Sequence, residues 1–184
     1  MRKGCSGDLP EGLVPIPAWW KSREEHVQAF IDNEVSKGKT GLLATSPGGR
    51  NIKMVSYGEP EPELRGTANY NSALGAKDPG AYYKRGPGFR KRPVLIISGG
   101  VHGDEIEGTM GAVSVLRIME SGVDVMGKGR PGLRAKLEKL RLIVIPLANP
   151  DGRARTAFDG SLGMPFDERG KLVYSVTADG KVQW

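Results

Sequence analysis

Two short runs of consecutive aliphatic residues stand out in the hydrophobic pattern of the chain. They cover Val94–Ile97 and Leu142–Ile145, and neither run alternates with polar residues. Unbroken runs of this length are typical of strands in a sheet that is covered on both faces. We therefore predict buried strands at Val94–Ser98 and at Leu142–Ile145.

The segment between the two runs has helical periodicity. Glu105–Glu120 is predicted to be a helix that ends at Gly122, because acidic residues suit a first turn and glycine suits a C-terminus. Leucines between 133 and 140 indicate a second, amphipathic helix. Strand, helix, helix, strand is a crossover unit whose strands run parallel. Both strands should therefore deliver their carboxyl ends to one edge of the sheet.

Weaker patterns surround this crossover. Ser22–Glu25 has the form of a capping box and should start a helix that stops near Lys37-Gly38. Gly41–Thr45 and Asn51–Tyr57 are strand candidates on either side of a glycine-rich turn. Residues 172–184 alternate around an Asp-Gly turn and predict a hairpin.

Length and composition indicate how the chain is organised into domains and loops. A length of 184 residues suits one domain, and 27 glycines and 13 prolines indicate much loop and turn. We expect an irregular arm over residues 1–18 and a domain over 19–184. A long loop over 59–92, which has no sustained periodicity, should be inserted within that domain.

Net charge, cysteine content and the lengths of the apolar segments limit the kinds of protein that this chain can be. The net charge of +6 is compatible with acidic partners but is also an ordinary solubility charge. A lone cysteine, Cys5, excludes an intramolecular disulfide and leaves the compartment open. No apolar run approaches the roughly 20 residues of a membrane span, and no apolar segment follows the basic start as in a secretory signal. We expect a soluble protein of unassigned location.

The candidate chemistry lies where the first aliphatic run ends. After Ser98-Gly99-Gly100 the chain presents His102 and Glu105 at H-x-x-E spacing, just before the predicted helix. An imidazole and a carboxylate at this spacing can converge on one point, and zinc accepts both as ligands. Asp104 adds negative charge nearby and could orient a ligand. The alternative interpretation is that both side chains cap the helix and remain solvated.

The wider order of motifs resembles the zinc carboxypeptidases of the carboxypeptidase A type. It comprises HGDE after a strand, the crossover, and Asn149–Gly152 (NPDG) after the second strand. The resemblance implies a three-layer α/β/α sandwich with a mixed, largely parallel sheet, incomplete in this chain. It implies that His102 and Glu105 are the first two ligands of one Zn²⁺ ion, and that NPDG shapes the floor of the site.

The resemblance also implies residues that this chain lacks. The family's third zinc ligand is a histidine far downstream, whereas the second histidine here, His26, lies upstream on the first predicted helix. We find neither the family's arginine–asparagine–arginine cluster nor its late catalytic glutamate after Gly152. Arg153 and Arg155, and also Arg169, are possible binders of a substrate carboxylate, although arginines beside a loop are usually solvated. We expect that the chain supplies only the first part of a catalytic domain and is inactive alone.

The function implied is that of a zinc-dependent metallocarboxypeptidase, which hydrolyses the C-terminal peptide bond of peptides or proteins. A zinc-dependent deacylase of N-acyl amino acids and a non-catalytic relative are the alternatives within the same fold.

Two alternatives come from other classes. A basic, aromatic segment within the long loop, between Tyr82 and Arg92, could contact phosphates and stack on bases. No nucleic-acid-binding motif accompanies it, so a nucleic-acid partner is not expected. The turn Gly99–Gly103 precedes a helix and could bind an anion. It matches neither of the glycine-rich patterns for nucleotides.

Overall fold

The computed structural model describes residues 16–59 and 92–156, together with the backbone of 175–176 and 182–183. The predicted arm and the predicted loop insertion lie almost entirely outside these residues, and so does the basic, aromatic segment. The candidate Arg169 also lies outside them. The predicted division of the chain therefore stays a prediction.

The described residues form four helices and six strands. In chain order they are α1 Glu24–Glu34, β1 Lys39–Thr45, β2 Asn51–Tyr57, β3 Val94–Ser98, α2 Ile106–Ser121, α3 Pro131–Leu137, β4 Arg141–Ile145, α4 Pro150–Arg155, β5 Ser175–Val176 and β6 Val182–Gln183. None of these helices combines the length and the apolar character needed to cross a membrane.

The main sheet has four strands in the order β1-β2-β4-β3. β1 pairs antiparallel with β2, and β2 pairs antiparallel with β4. β3 and β4 run parallel, as the predicted crossover requires. The predicted mixed sheet is thus confirmed, and parallel pairing among its described strands is limited to the crossover. β5 and β6 pair antiparallel, which confirms the predicted C-terminal hairpin.

The core lies on one face of this sheet. Val55, Leu142 and Val144 have 0% exposure, and the strand register places Val55 beside Val144. All three helices from α1 to α3 contribute side chains to the same cluster, including Ile31 and Leu116. Side chains that alternate with these point to the second face and are half-buried or exposed. The described residues thus build one helix layer and the sheet of the predicted α/β/α arrangement.

β3 forms where the sequence predicts it, but the prediction that it is buried is wrong. Ile96 is 61% exposed and Leu95 is 37% exposed. The reason is the position of the strand, because β3 ends the order of the described sheet and has only β4 beside it. An aliphatic run indicates which strand can be interior and does not indicate what covers it.

The start of α1 differs from the predicted capping box. The helix begins at Glu24 with Arg23 as its N-cap, and the Arg23 side chain makes no capping hydrogen bond. Ser22 is instead completely buried. Its hydroxyl accepts a hydrogen bond from Arg153 at 3.1 Å, so a contact distant in sequence determines its place.

Glu120 joins the end of α2 to the start of the sheet. Its carboxylate accepts backbone N–H groups of residues 36–38 at 2.9–3.0 Å and the Tyr57 hydroxyl at 2.7 Å. Partial burial opposes its ionisation, but these hydrogen bonds outweigh that effect and lower the pKa of Glu120 to about 2. Burial, and then the bond to Glu120, raise the pKa of Tyr57.

Candidate metal site

Two glycines let the chain turn sharply from β3 into the candidate site. The N–H of Gly99 donates to the Ile145 carbonyl at 2.9 Å, and a Cβ on Gly99 would lie only 2.5 Å from the Gly108 carbonyl oxygen. Gly100 has a φ of +58°, a region that side chains disfavour. These close approaches explain the Gly-Gly pair without any anion bound at the turn.

The side chains of His102 and Glu105 approach each other between this turn and the start of α2. His102 Nδ1 lies 3.0 Å from Glu105 Oε2, and the two side chains are 43% and 56% exposed. Glu105 is the N-cap residue of α2, and its N–H donates to the His102 carbonyl at 3.2 Å. A local backbone turn therefore brings the two side chains together, and both remain accessible from solvent.

This pair fits half of a zinc coordination shell. Two ligand atoms on a tetrahedral zinc, each at about 2.0–2.1 Å, lie roughly 3.3 Å apart. The separation of 3.0 Å between Nδ1 and Oε2 is that of an ion pair between the two side chains, and it is also compatible with that value. Among residues 16–59 and 92–156, no group of three or more histidine, cysteine, aspartate or glutamate side chains could enclose a metal ion. The described part of the chain thus brings two candidate ligands together and offers no third beside them.

The start of the NPDG segment is joined to the glycine turn by backbone hydrogen bonds. The N–H groups of Ala148 and Asn149 donate to the carbonyls of Gly99 and Gly100, each at 2.9 Å. Asn149 caps α4, because its Oδ1 accepts the Gly152 N–H at 2.9 Å. The two carboxyl ends of β3 and β4 thus meet at one sheet edge, as the parallel crossover predicts.

Gly103, between the two candidate ligands, packs directly on this support. A Cβ on Gly103 would lie 2.1 Å from the carbonyl carbon of Gly152. The Thr156 hydroxyl lies between the two segments, 3.0 Å from the Gly152 carbonyl oxygen and 3.3 Å from the Gly103 carbonyl oxygen. Any larger residue at position 103 would separate the HGDE turn from α4.

Two aspartates near the site are buried, in contrast to His102 and Glu105. Asp104 is 4% exposed and Asp151 is 1% exposed. Asp151 accepts three hydrogen bonds from the turn between β1 and β2. Sequence analysis identified that turn and the NPDG motif separately. No pattern in the sequence linked the two, because about 100 residues separate them.

The other predicted site residues lie in different surroundings. The guanidinium of Arg153 is buried and donates to the Ser22 carbonyl at 2.9 Å and to the Thr156 carbonyl at 3.3 Å. These partners occupy it, so the geometry gives no support to a role in substrate binding. Arg155 is exposed near the end of α4. His26 is exposed on α1, as predicted for a surface residue.

Two solved structures that are similar to this chain carry the name carboxypeptidase. A metallo-carboxypeptidase from Burkholderia cenocepacia is 15% identical, with a TM-score of 0.49, and the match covers 86% of this chain and 31% of that one. A Burkholderia mallei protein, provisionally named a carboxypeptidase, is 14% identical with a TM-score of 0.50, over 86% of this chain and 30% of that one. The chain therefore spans about a third of the length of these relatives. A search of curated protein sequences found no match.

The likeness to the Burkholderia mallei structure agrees with the predicted carboxypeptidase-like α/β architecture. Sequence comparison adds the family. The sequence profile of the zinc carboxypeptidases matches residues 29–163, which is more than half of the chain. The matched region contains β3, the HGDE turn, the crossover and NPDG. The chain belongs to the zinc carboxypeptidase family.

Proposed function

We propose that His102 and Glu105 are two protein ligands of a catalytic zinc ion. The protein to which this chain belongs is proposed to be a metallocarboxypeptidase that releases C-terminal residues from peptides. The observation that carries this proposal is the 3.0 Å approach of His102 Nδ1 to Glu105 Oε2. It occurs at the edge of the sheet, inside the region that matches the family.

Each part of the chain contributes a specific task to this function. Nδ1 of His102 and the Glu105 carboxylate hold the metal, while the α4 support fixes the backbone between them. When bound, zinc lowers the pKa of a coordinated water and polarises a carbonyl oxygen. The described residues offer no third ligand beside this pair. The isolated chain should therefore bind zinc weakly and hydrolyse no peptide.

Zinc titration of the 184-residue chain, followed by NMR of backbone amides, tests the ligand assignment. Wild type should show shifts centred on residues 102–105 with weak affinity. His102→Ala should abolish them because the nitrogen ligand is lost. His26→Ala is the matched control, since it removes the other of the two histidines and should leave the shifts unchanged. Equal shifts in wild type and His102→Ala would refute the assignment.

Substrate class is tested on the protein that contains the whole catalytic domain. A peptide with a free C-terminus should be shortened, and the same peptide with a C-terminal amide should not. An N-acyl amino acid serves as the competing substrate. Faster hydrolysis of the N-acyl amino acid than of the peptide would assign the protein to the deacylases instead.

A further inference from the structure

Asp151 ties two distant parts of the chain together behind the metal site. Its Oδ1 accepts the Ser46 hydroxyl at 2.8 Å and Arg50 Nη1 at 3.0 Å. Its Oδ2 accepts the Gly48 N–H at 2.9 Å. The side chain is 1% exposed, and Arg50 supplies a compensating positive charge. A buried carboxylate with these partners is costly to disturb.

The fit around this aspartate is tight on both sides. A Cβ on Gly48 would lie 2.3 Å from Asp151 Oδ1, so the turn between β1 and β2 rests directly on the carboxylate. The next residue in the chain, Gly152, carries the backbone against which Gly103 packs. Asp151 thus fixes α4 to the sheet at the point where α4 supports the HGDE turn.

We propose that Asp151 is a positioning residue for the metal ligands. By locking α4 to the turn at residues 46–50, it holds the Gly103 backbone in place. It thereby holds His102 and Glu105, on either side of Gly103, at the separation that a metal requires. This inference rests on the proposed zinc site, and it adds a residue that contacts neither ligand and acts through the backbone between them.

Asp124 provides a matched control elsewhere in the molecule. It is 5% exposed and accepts the N–H groups of Met126 at 3.0 Å and Lys128 at 2.9 Å. It also accepts Arg130 Nε at 2.8 Å. Both aspartates therefore accept hydrogen bonds from one arginine side chain and from two uncharged donors. None of these Asp124 partners belongs to the HGDE turn or to α4.

The experiment compares Asp151→Asn with Asp124→Asn, below the unfolding temperature of both variants. Each variant should unfold at a lower urea concentration than wild type. Asp151→Asn alone should weaken zinc binding, by about 10-fold as for other supporting residues of metal sites. It alone should also speed hydrogen exchange at the amides of residues 103–105. Equal zinc affinity and exchange in the two variants would show that Asp151 has only a structural role.

Ser46→Ala serves as a milder second variant should Asp151→Asn fail to fold. It removes the 2.8 Å bond to Oδ1 and the 2.9 Å bond that Ser46 Oγ accepts from the Arg50 backbone N–H. It leaves the bonds of Asp151 with the Gly48 N–H and Arg50 Nη1. It should shift zinc affinity and exchange in the same direction by a smaller factor. Unchanged affinity and exchange in Ser46→Ala would count against the proposal.

The results separate this inference from the proposed function. If His102→Ala loses zinc binding while Asp151→Asn keeps wild-type affinity, the zinc site stands and the role of Asp151 is refuted. If His102→Ala binds zinc as wild type does, the proposed ligand assignment fails and the metal-positioning role fails with it.

Discussion

The two faces of the four-stranded sheet differ sharply although the same strands build both. On the helix-covered face, Leu142 and Val144 have 0% exposure. On the other face, Ile96 is 61% exposed, although the register places it directly beside Ile143. Because removal of apolar surface from water stabilises the folded chain, we expect the covered aliphatic residues to contribute more to stability than the exposed ones.

The two edges of the sheet extend this contrast. β1 carries a register shift between Leu42 and Ala44 and begins with Lys39, and both features are common on natural edge strands. β3 pairs with β4 in unbroken register and has neither a charge nor a proline within Val94–Ser98. β1 is therefore suited to an exposed edge, whereas β3 has the sequence of an interior strand.

The largest expected effect lies on the covered face. Leu142→Ala removes a side chain that is completely buried between the helices and the sheet. It should lower the free energy of unfolding by about 2–5 kcal/mol, because a cavity remains and apolar contacts are lost. Urea denaturation measures the change. A loss below about 1 kcal/mol would show that this face is not the core.

Glu120→Gln should have the next largest effect, since this carboxylate binds the start of β1 and the hydroxyl of Tyr57. We expect a loss of about 1–3 kcal/mol at neutral pH, typical of hydrogen bonds to a charged group. Because the folded-state pKa is lowered to about 2 from 4.5, the stabilisation is present above about pH 4.5 and disappears as the pH falls towards 2.

Denaturation of wild type and Glu120→Gln at pH 6 and pH 3 tests that dependence. The difference between the two proteins should shrink at pH 3, and a constant difference would contradict the role of the charge. Glu107→Gln is the control on the same helix, where an exposed glutamate near the N-terminus should contribute only about 0.3–1 kcal/mol.

The smallest effect is expected on the second face. Ile96→Thr keeps a β-branched side chain in the strand and should change the free energy of unfolding by no more than about 0.5 kcal/mol. Val144→Thr is the matched change on the covered face and should cost about 1–3 kcal/mol, because it buries a hydroxyl. Similar losses for the two variants in the same urea experiment would remove the distinction between the faces.

Much of the local structure could be predicted because neighbouring residues determine it. β2 and β3 occupy the predicted residues, and α2 ends at Gly122, whose φ of 82° suits glycine. The start of α1 was predicted incorrectly, because Ser22 takes part in a contact with Arg153 across 131 residues. Propensity and pattern describe local preferences, and a distant buried partner can override them.

In the candidate site, too, local sequence determines some features and contacts between distant segments determine others. The sequence alone predicted that His102 and Glu105 would converge, because they lie three residues apart at a turn from a strand into a helix. Only the tertiary structure decided that Asp151 meets the turn at residues 46–50, that Arg153 is buried, and that β3 is exposed. Each of these depends on segments that chain folding brings together from far apart, and no local pattern records such a meeting.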